Sequence, residues 1–169
     1  PTHHALRGQD LFKEKRWNAA EKQFDSALEL NPEFAPALSG KALVKAHQSS
    51  QPGRKAERVE ALREESRDLL KESLNHAESP EHQIRVRIDA VQVETQLKED
   101  DWLEQAGDHY GEALELVEDQ PALRKRLPEL NFYMGEAYLA ARAFADASAH
   151  YARVLELNQS FTREADRQQ

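Results

Sequence analysis

The sequence contains no cysteine, so it forms no disulfide bond, offers no thiolate to a metal and has no cysteine nucleophile. It also has no apolar run near the ~20 residues that a membrane-spanning helix needs, and no signal peptide is recognisable. Because the chain starts at Pro1 without a methionine and stops at Gln169 in helical sequence, we expect it to be an excised segment whose targeting signals lie elsewhere. The cytoplasm and the periplasm both remain open as compartments, and we expect no membrane insertion.

Positive charge is scarce. The chain has 23 lysines and arginines against 31 acidic residues, which gives a net charge of −8. Binding to nucleic acid needs clustered basic residues that neutralise phosphates and release counterions. The one basic cluster, 124–126, has only three residues and is interpreted as a solvated face. We therefore expect no nucleic-acid partner.

Candidate catalytic and metal-binding residues are also few. Of the seven histidines, no two stand four residues apart, so none forms, with a glutamate, the arrangement that is typical of a helical zinc site. His76 and His82 flank Pro80 and could approach each other, but solvated surface histidines are the expected interpretation. The Gly40-Lys41 pair lacks the upstream glycine and the following Ser or Thr of a phosphate-binding loop. We expect no enzyme, no metal site and no cofactor. The other histidines are His3, His4, His47, His109 and His150.

What the sequence does contain is a recurring unit. In the stretch 17–32, WNAAEKQFDSALELNP, the residues Ala20, Phe24 and Ala27 are spaced three and four apart and share one helical face. That face is small, large, small, which lets a neighbouring helix approach closely. Gly8 stands twelve residues before Ala20, and Gly135 stands twelve residues before the last copy of the run. The two further copies begin Ala106, Tyr110, Ala113 and Ala147, Tyr151, Val154.

These copies resemble the tetratricopeptide repeat (TPR) family, whose unit is a helix-turn-helix of 34 residues. Residues 1–34 match closely, and 128–161 match nearly as well, with Gln159 where the family usually has proline. The resemblance implies an all-α fold, a right-handed solenoid of four antiparallel helix pairs in a single domain over 1–169. A partial ninth helix, begun by Ser160, would shield its end. The implied units are about 1–34, 35–79 with an insertion at 49–60, 80–120, 121–160, and a capping segment at 160–169.

The second unit departs from this pattern. The polar segment 49–55 is predicted to be a loop, and the following helix, Lys55 to about Ala77, is predicted to be so long that its first two turns project beyond the array. The projecting part carries an apolar stripe that we interpret as a second contact surface. The alternative is that the helix starting near Glu81 covers this stripe from within. The stripe consists of Ala56, Val59 and Leu62.

Two smaller expectations concern the second half of the chain. Gly107 and Gly111 lie inside a predicted helix, where glycine costs ~1 kcal/mol relative to alanine, and we expect close packing against a bulky neighbour. Pro121 introduces a segment to Lys125 that is either a short separate turn or a kinked extension of a helix.

The resemblance further implies a concave groove lined by the first helix of each unit. In TPR modules that bind acidic C-terminal tails, basic and amide side chains line this groove. Here Ala5, Gln9, Ser39 and Leu43 take the corresponding places, so that specificity is not carried over. A mixed apolar and polar groove suits a helix or an extended apolar peptide. The predicted groove residues, besides Ala5 and Lys98, are Gln9, Phe12, Ser39, Leu43, His47, Val91, Thr95, Phe132, Glu136 and Leu139.

Two hypotheses for function follow. The first is a protein-interaction module that binds a peptide or helix of a partner, or a second copy of itself, as a scaffold or adaptor. The second is a structural spacer or regulatory region of a larger, possibly cell-envelope, protein with no ligand of its own. The first requires exposed apolar area at groove positions such as Leu43, Val91 and Phe132, and the second does not.

Overall fold

The computed structural model describes residues 1–168, which contain eight α-helices and no strand. The all-helical fold that the resemblance implied is confirmed for these residues. A short 3₁₀ helix at Pro121–Arg126 leads directly into α7, so the segment after Pro121 is a separate turn. The helices are α1 (Thr2–Lys13), α2 (Trp17–Leu30), α3 (Ala35–Ser49), α4 (Ala56–His76), α5 (Pro80–Leu97), α6 (Trp102–Asp119), α7 (Leu127–Ala140) and α8 (Phe144–Arg167).

The helices pack as four consecutive hairpins. Each odd-numbered helix packs most extensively against the even-numbered helix that follows it. The odd helices also contact one another in order, α1 with α3, α3 with α5 and α5 with α7, and so form a continuous row. The even helices α2, α4 and α6 each contact the next odd helix as well. As a result α3 has neighbours on three sides, and nearly all of its residues are buried.

The first and last hairpins have the same local geometry at positions 127 residues apart. Lys15 and Arg142 both adopt left-handed backbone conformations, with φ of 60° and 62°. In each turn the amide after that residue donates to a carbonyl five residues back in the chain, at 2.9 Å. His4 hydrogen-bonds to Gln23 at 3.0 Å, and the corresponding pair, Asn131 and His150, does so at 3.1 Å.

Glycines let aromatic rings lie flat against helices in both hairpins. A Cβ on Gly8 would lie 2.7 Å from the Phe24 ring, and one on Gly135 would lie 2.8 Å from the Tyr151 ring. Gly40 of α3 covers the opposite side of Phe24, where a Cβ would lie only 2.4 Å from the ring. Real side chains do not tolerate such contacts without movement. At these three positions the odd helix therefore needs glycine to meet the ring.

The explanation of the other two glycines by close packing is wrong. A Cβ on Gly107 or Gly111 would have no heavy atom within 4 Å. Both lie inside α6, so they lower its helix propensity without permitting any close contact.

The second hairpin has the predicted loop and the predicted long helix. α3 continues to Ser49 and α4 runs from Ala56 to His76, so the loop covers 50–55. Leu62 is fully buried, Val59 is half-buried, and only Ala56 of the apolar stripe is exposed. The side chain of Arg63 donates to the carbonyl of Leu97 at 2.7 Å. The C-terminal end of α5 therefore reaches this part of α4, and the projecting contact surface is largely covered from within.

α4 also carries the small-large-small pattern in a form that the sequence comparison missed. Ser66, Leu70 and Ser73 are buried at the spacing of Ala20, Phe24 and Ala27. The Ser66 hydroxyl donates to the carbonyl of Ala42 in α3, at 2.7 Å. Serine replaces alanine here because it is equally small and finds a backbone acceptor for its hydroxyl.

The expected ninth helix is not present in the described residues. α8 runs without interruption from Phe144 to Arg167, and Ser160 lies in its interior. The first hairpin has Pro32 immediately after its second helix, whereas Gln159 stands at the equivalent place here. Without proline or glycine nothing in the sequence ends the helix. The remaining position of the predicted capping segment, residue 169, lies outside the described residues.

Candidate partner-binding groove

A groove lies along the row of odd helices, and it consists of two connected parts. Phe12, Lys13, Gln92 and Tyr133 line both parts. The outer part has a volume of about 350 Å³ and receives side chains from α1, α3, α5 and α7. The inner part is a narrow cleft of about 20 Å³. The outer part is also lined by Lys15, Trp17, His47, Thr95, Gln96 and Glu136. The inner part is also lined by Gln9, Phe24, Gly40, Leu43, Arg85, Asp89 and Glu129.

An aromatic cluster forms one end of the groove. The Trp17 ring stacks on His47 with centroids 4.9 Å apart, and Phe12 packs against both rings at 4.8 and 5.1 Å. Burial lowers the pKa of His47 to about 4, so its imidazole is neutral at physiological pH. The cluster thus offers an uncharged, partly exposed aromatic surface, which suits an apolar side chain of a ligand.

The floor of the inner part is a buried charge network that joins three odd helices. The Arg85 guanidinium contacts Asp89 at 3.1 Å and Glu129 at 2.9 Å. The Ser39 hydroxyl donates to the second oxygen of Asp89 at 2.7 Å. Since Ser39 lies on α3, Arg85 and Asp89 on α5, and Glu129 on α7, the network fixes how these helices sit relative to one another.

Burial and charge act in opposite directions within this network. Burial disfavours the Arg85 cation, but Asp89 and Glu129 outweigh that effect and raise its pKa above the usual value. Burial raises the pKa of Asp89, although Arg85 and the Ser39 hydroxyl stabilise its anion. Arg85 Nε is the only buried side-chain polar atom of the described residues without a hydrogen-bond partner. A guanidinium held by two carboxylates serves to position helices and has little freedom to bind a further anion.

Neutral polar groups line one wall of the groove, whose outer part also carries Lys13, Lys15 and Glu136. Burial, followed by the charge of Glu129, raises the pKa of Tyr133 to about 12, so its phenol remains protonated. Gln92, Thr95 and Gln96 are half-buried and line the same wall. These hydroxyl and amide groups can donate to and accept from a peptide backbone. The groove therefore combines an aromatic end with a neutral hydrogen-bonding wall.

The structure brings together six of the predicted groove residues: Gln9, Phe12, Leu43, His47, Thr95 and Glu136. Exposure of Leu43 was expected and is wrong, because only 3% of its surface is accessible. Ser39 is fully buried beneath the groove in the charge network. Ala5 is buried in the core of the first hairpin, and Lys98 lies in the turn after α5.

The other three predicted residues lie away from the groove. Val91 is fully buried and packs with Ala106 and Met134, so its expected exposure is wrong. Phe132 and Leu139 are both 43% exposed, as expected, but neither lines the groove. Both share a face of α7 with Glu136, and the Phe132 ring lies 6.0 Å from the Tyr151 ring of α8.

The sequence prediction missed the residues that build the floor, namely Arg85, Asp89, Glu129 and Tyr133. A signal for two of them was present. Arg85 and Asp89 are spaced i,i+4 within an otherwise apolar stretch of α5, and charges in such a stretch are buried only when they are paired. Nothing in the sequence of α5 alone, however, indicates that Ser39 and Glu129 are the partners.

A second, wider cleft of about 710 Å³ lies between α4, α5 and α6. Its floor, Val93 and Leu97, is buried, and its rim is mostly charged, including Arg67, which pairs with Glu99. Among the described residues no group of three or more His, Asp or Glu side chains is placed to hold a metal ion. None of the described helices combines the length and apolarity that a membrane crossing requires.

Comparison with known proteins adds no relative. No protein-family model matches the chain, and no curated protein is significantly similar to it in sequence.

Proposed function

We propose that the chain is a tetratricopeptide-repeat module, with its four hairpins wound into a right-handed superhelix, that binds a peptide or helix of a partner protein. The repeated A-x3-aromatic runs, the glycines facing their rings and the equivalence of the first and last hairpins support the family assignment. On this proposal the row of odd helices is the concave side, and the module acts as a scaffold or adaptor without enzymatic activity.

The observation that carries the binding proposal is the combination of surfaces in the groove. The aromatic cluster of Phe12, Trp17 and His47 is only partly buried, and a wall of neutral hydrogen-bonding side chains continues from it. An apolar side chain placed on the cluster would lose contact with water. The Thr95 hydroxyl already donates to the Val91 carbonyl at 2.7 Å, so Thr95 can accept from the adjacent backbone, and the Gln92 amide can bond it as well. A segment with one large apolar residue is therefore the expected ligand.

Selection from a random peptide library tests this proposal. Peptides are selected on the wild-type protein and then titrated against the double variant Gln92→Arg with Thr95→Arg, which fills the wall of the groove with bulk and charge. The matched control is Gln105→Arg, an exposed residue of the wider cleft. We expect the groove variant to weaken binding at least about tenfold and the control to leave it unchanged. Equal affinities for all three proteins, or the absence of any selected peptide, would contradict the proposal.

The spacer hypothesis has one observation in its favour. Leu43 and Val91, two of the apolar residues expected to face the groove, are buried by neighbouring helices and offer nothing to a ligand. What remains apolar and accessible in the groove is the aromatic cluster alone. Failure of the peptide selection would therefore favour the spacer.

A further inference from the structure

The outer side of the last hairpin carries apolar side chains that the described residues do not cover. On α7, Phe132 and Leu139 are 43% exposed, with Gly135 between them. On α8, Leu155 is 65% exposed and lies one turn beyond Tyr151. The rings of Phe132 and Tyr151 are 6.0 Å apart, so the two helices present one continuous surface. We call Phe132, Leu139, Tyr151 and Leu155, with Ser148 and Ala152 beside them, the end face.

The first hairpin shows how an equivalent surface is covered. A shift of 127 residues relates Phe132, Leu139, Tyr151 and Leu155 to Ala5, Phe12, Phe24 and Leu28. Those four side chains pack in one cluster with Ala37 and Val44 of α3. Phe24 is held between Gly8 of its own hairpin and Gly40 of α3, whereas Tyr151 has only Gly135 on one side. The end face therefore has the form of a surface against which a helix can pack as α3 packs against the first hairpin.

Charge distinguishes the two surfaces. Where α2 meets α3, Glu21 pairs with Lys45 and Asp25 pairs with Lys41. The equivalent positions on α8 are Ser148 and Ala152, which are small and uncharged. At these two positions a helix on the end face would find no carboxylate to pair with lysines. The carboxylate of the face is Glu136 on α7, which accepts a hydrogen bond from the Tyr151 hydroxyl. A helix on the end face should therefore be more apolar than α3 along its line of contact with α8.

The α1 side of a second copy of the chain does not fit against the end face. Gly40 of α3 corresponds to Leu6 of α1, 34 residues earlier, and Leu6 is 52% exposed. A leucine in place of the glycine would collide with the Tyr151 ring, as a Cβ on Gly40 would collide with Phe24. Copies of this chain therefore cannot stack with the α1 side of one copy against the end face of the next.

We propose that the end face binds one amphipathic α-helix of a partner protein, with glycine or alanine opposite Tyr151, apolar residues on either side of it and no lysine towards α8. Glu136 of α7 borders both this surface and the groove, but the proposal does not depend on the groove binding a peptide. Exposed apolar area of this extent on a hairpin with a covered counterpart marks a helix-binding surface.

A peptide derived from α3 provides the probe. It spans 35–49 with Lys41→Leu and Lys45→Gln, which removes the charges that α8 cannot pair, and it is bridged on its outward face to hold it helical, because a free helix of this length is marginal in water. Nuclear magnetic resonance titration of the 169-residue chain with this peptide shows which residues the peptide contacts. We expect shifts at Leu139, Tyr151 and Leu155 that saturate with peptide.

Two matched comparisons make the test specific. The same peptide with Gly40→Leu should bind at least about tenfold more weakly, because its side chain meets the Tyr151 ring. The protein variant Leu155→Lys should also weaken binding at least about tenfold, whereas Leu30→Lys, at an equally exposed leucine of α2, should not. Circular dichroism of both protein variants confirms that each is folded.

Three results would overturn the proposal. The first is the absence of shifts at peptide concentrations of about 1 mM, since a surface that binds a preformed helix should reach at least this affinity. The second is a set of shifts in the groove or at α1 and α2. The third is a dimer in sedimentation that Leu155→Lys dissociates, because the occupant would then be a second copy and not a partner helix.

Discussion

The first and last hairpins use the same residues at the same spacing, yet they differ in how much of each is buried. Their turns, their glycine-ring contacts and their side-chain hydrogen bonds match position for position. Trp17 of the first is stacked on His47, whereas Phe144 at the equivalent position of the last is 61% exposed. The difference arises from α3, which covers the first hairpin, whereas no helix of the described residues covers the last in this way. Local sequence thus specifies the hairpin, and the neighbouring hairpin determines what each side chain contributes to stability.

The largest expected effect comes from the equivalent aromatic residues. Trp17→Ala should lower the free energy of unfolding by about 3 kcal/mol, since the ring packs against both Phe12 and His47. Phe144→Ala should lower it by less than about 1 kcal/mol, because most of that ring is already in water. Urea unfolding of both variants measures the difference. Equal losses would show that α3 does not supply the stabilisation of the first hairpin.

The glycines provide a second contrast. Gly40→Ala should cost about 2 kcal/mol, because Phe24 is enclosed on both sides and its ring cannot move away from the new methyl group. Gly135→Ala should cost about 1 kcal/mol or less, since Tyr151 can move towards solvent and alanine favours the helix. Adding Phe24→Leu to Gly40→Ala makes room for the methyl group and should recover part of the loss. If Phe24→Leu does not reduce the loss of stability, the new methyl group clashes with a residue other than Phe24.

A pH effect is expected where α3 covers the first hairpin. The pKa of His47 is lowered by burial to about 4 in the folded protein, from an ordinary value of 6.5. The unfolded chain therefore binds a proton more readily, and stability present above pH 6.5 is lost as the pH falls towards 4. The loss should be on the order of 2 kcal/mol in this window. His47→Phe should flatten the dependence relative to wild type, and an unchanged slope would contradict the assignment.

The smallest effect, with opposite sign, is expected in α6. Gly107→Ala and Gly111→Ala should each raise the free energy of unfolding by up to about 1 kcal/mol, because alanine has the higher helix propensity and its methyl group meets no neighbour. Thermal unfolding of the single and double variants measures this gain. A loss of stability at either position would mean that a side chain there meets a neighbour after all.

Most of the helices could be predicted from the sequence because prolines mark several of their ends and their apolar faces are clear. Pro80 begins α5, and the aromatic residue of each good copy is placed on the correct face. The end of α8 was wrong because the expected break relied on a proline that the last unit lacks. Ser160 can cap a helix, but a helix with no breaker before it simply continues.

The groove was only partly predictable, for a different physical reason. The period of a helix shows which residues share a face, but not how many neighbours cover that helix. Leu43 was expected in the groove and is buried because α3 lies between α1 and α5. His47 had the sequence character of a surface residue, although it stacks on Trp17, thirty positions earlier. The Ser39 to Asp89 hydrogen bond joins residues 50 positions apart, a separation that periodicity cannot address.

The buried charge network has a consequence for how the chain unfolds. In arrays whose units contact only their neighbours, stability is a sum of unit and nearest-neighbour energies, and end units fray independently. Here Ser39, Asp89, Arg85 and Glu129 connect the second, third and fourth hairpins through one set of contacts. Opening the second hairpin takes the Ser39 hydroxyl from Asp89, and opening the fourth takes Glu129 from Arg85, so either leaves a buried charge with one partner fewer, which is unfavourable. We therefore expect these hairpins to unfold as a cooperative unit, with hydrogen exchange in α3, α5 and α7 following one common opening.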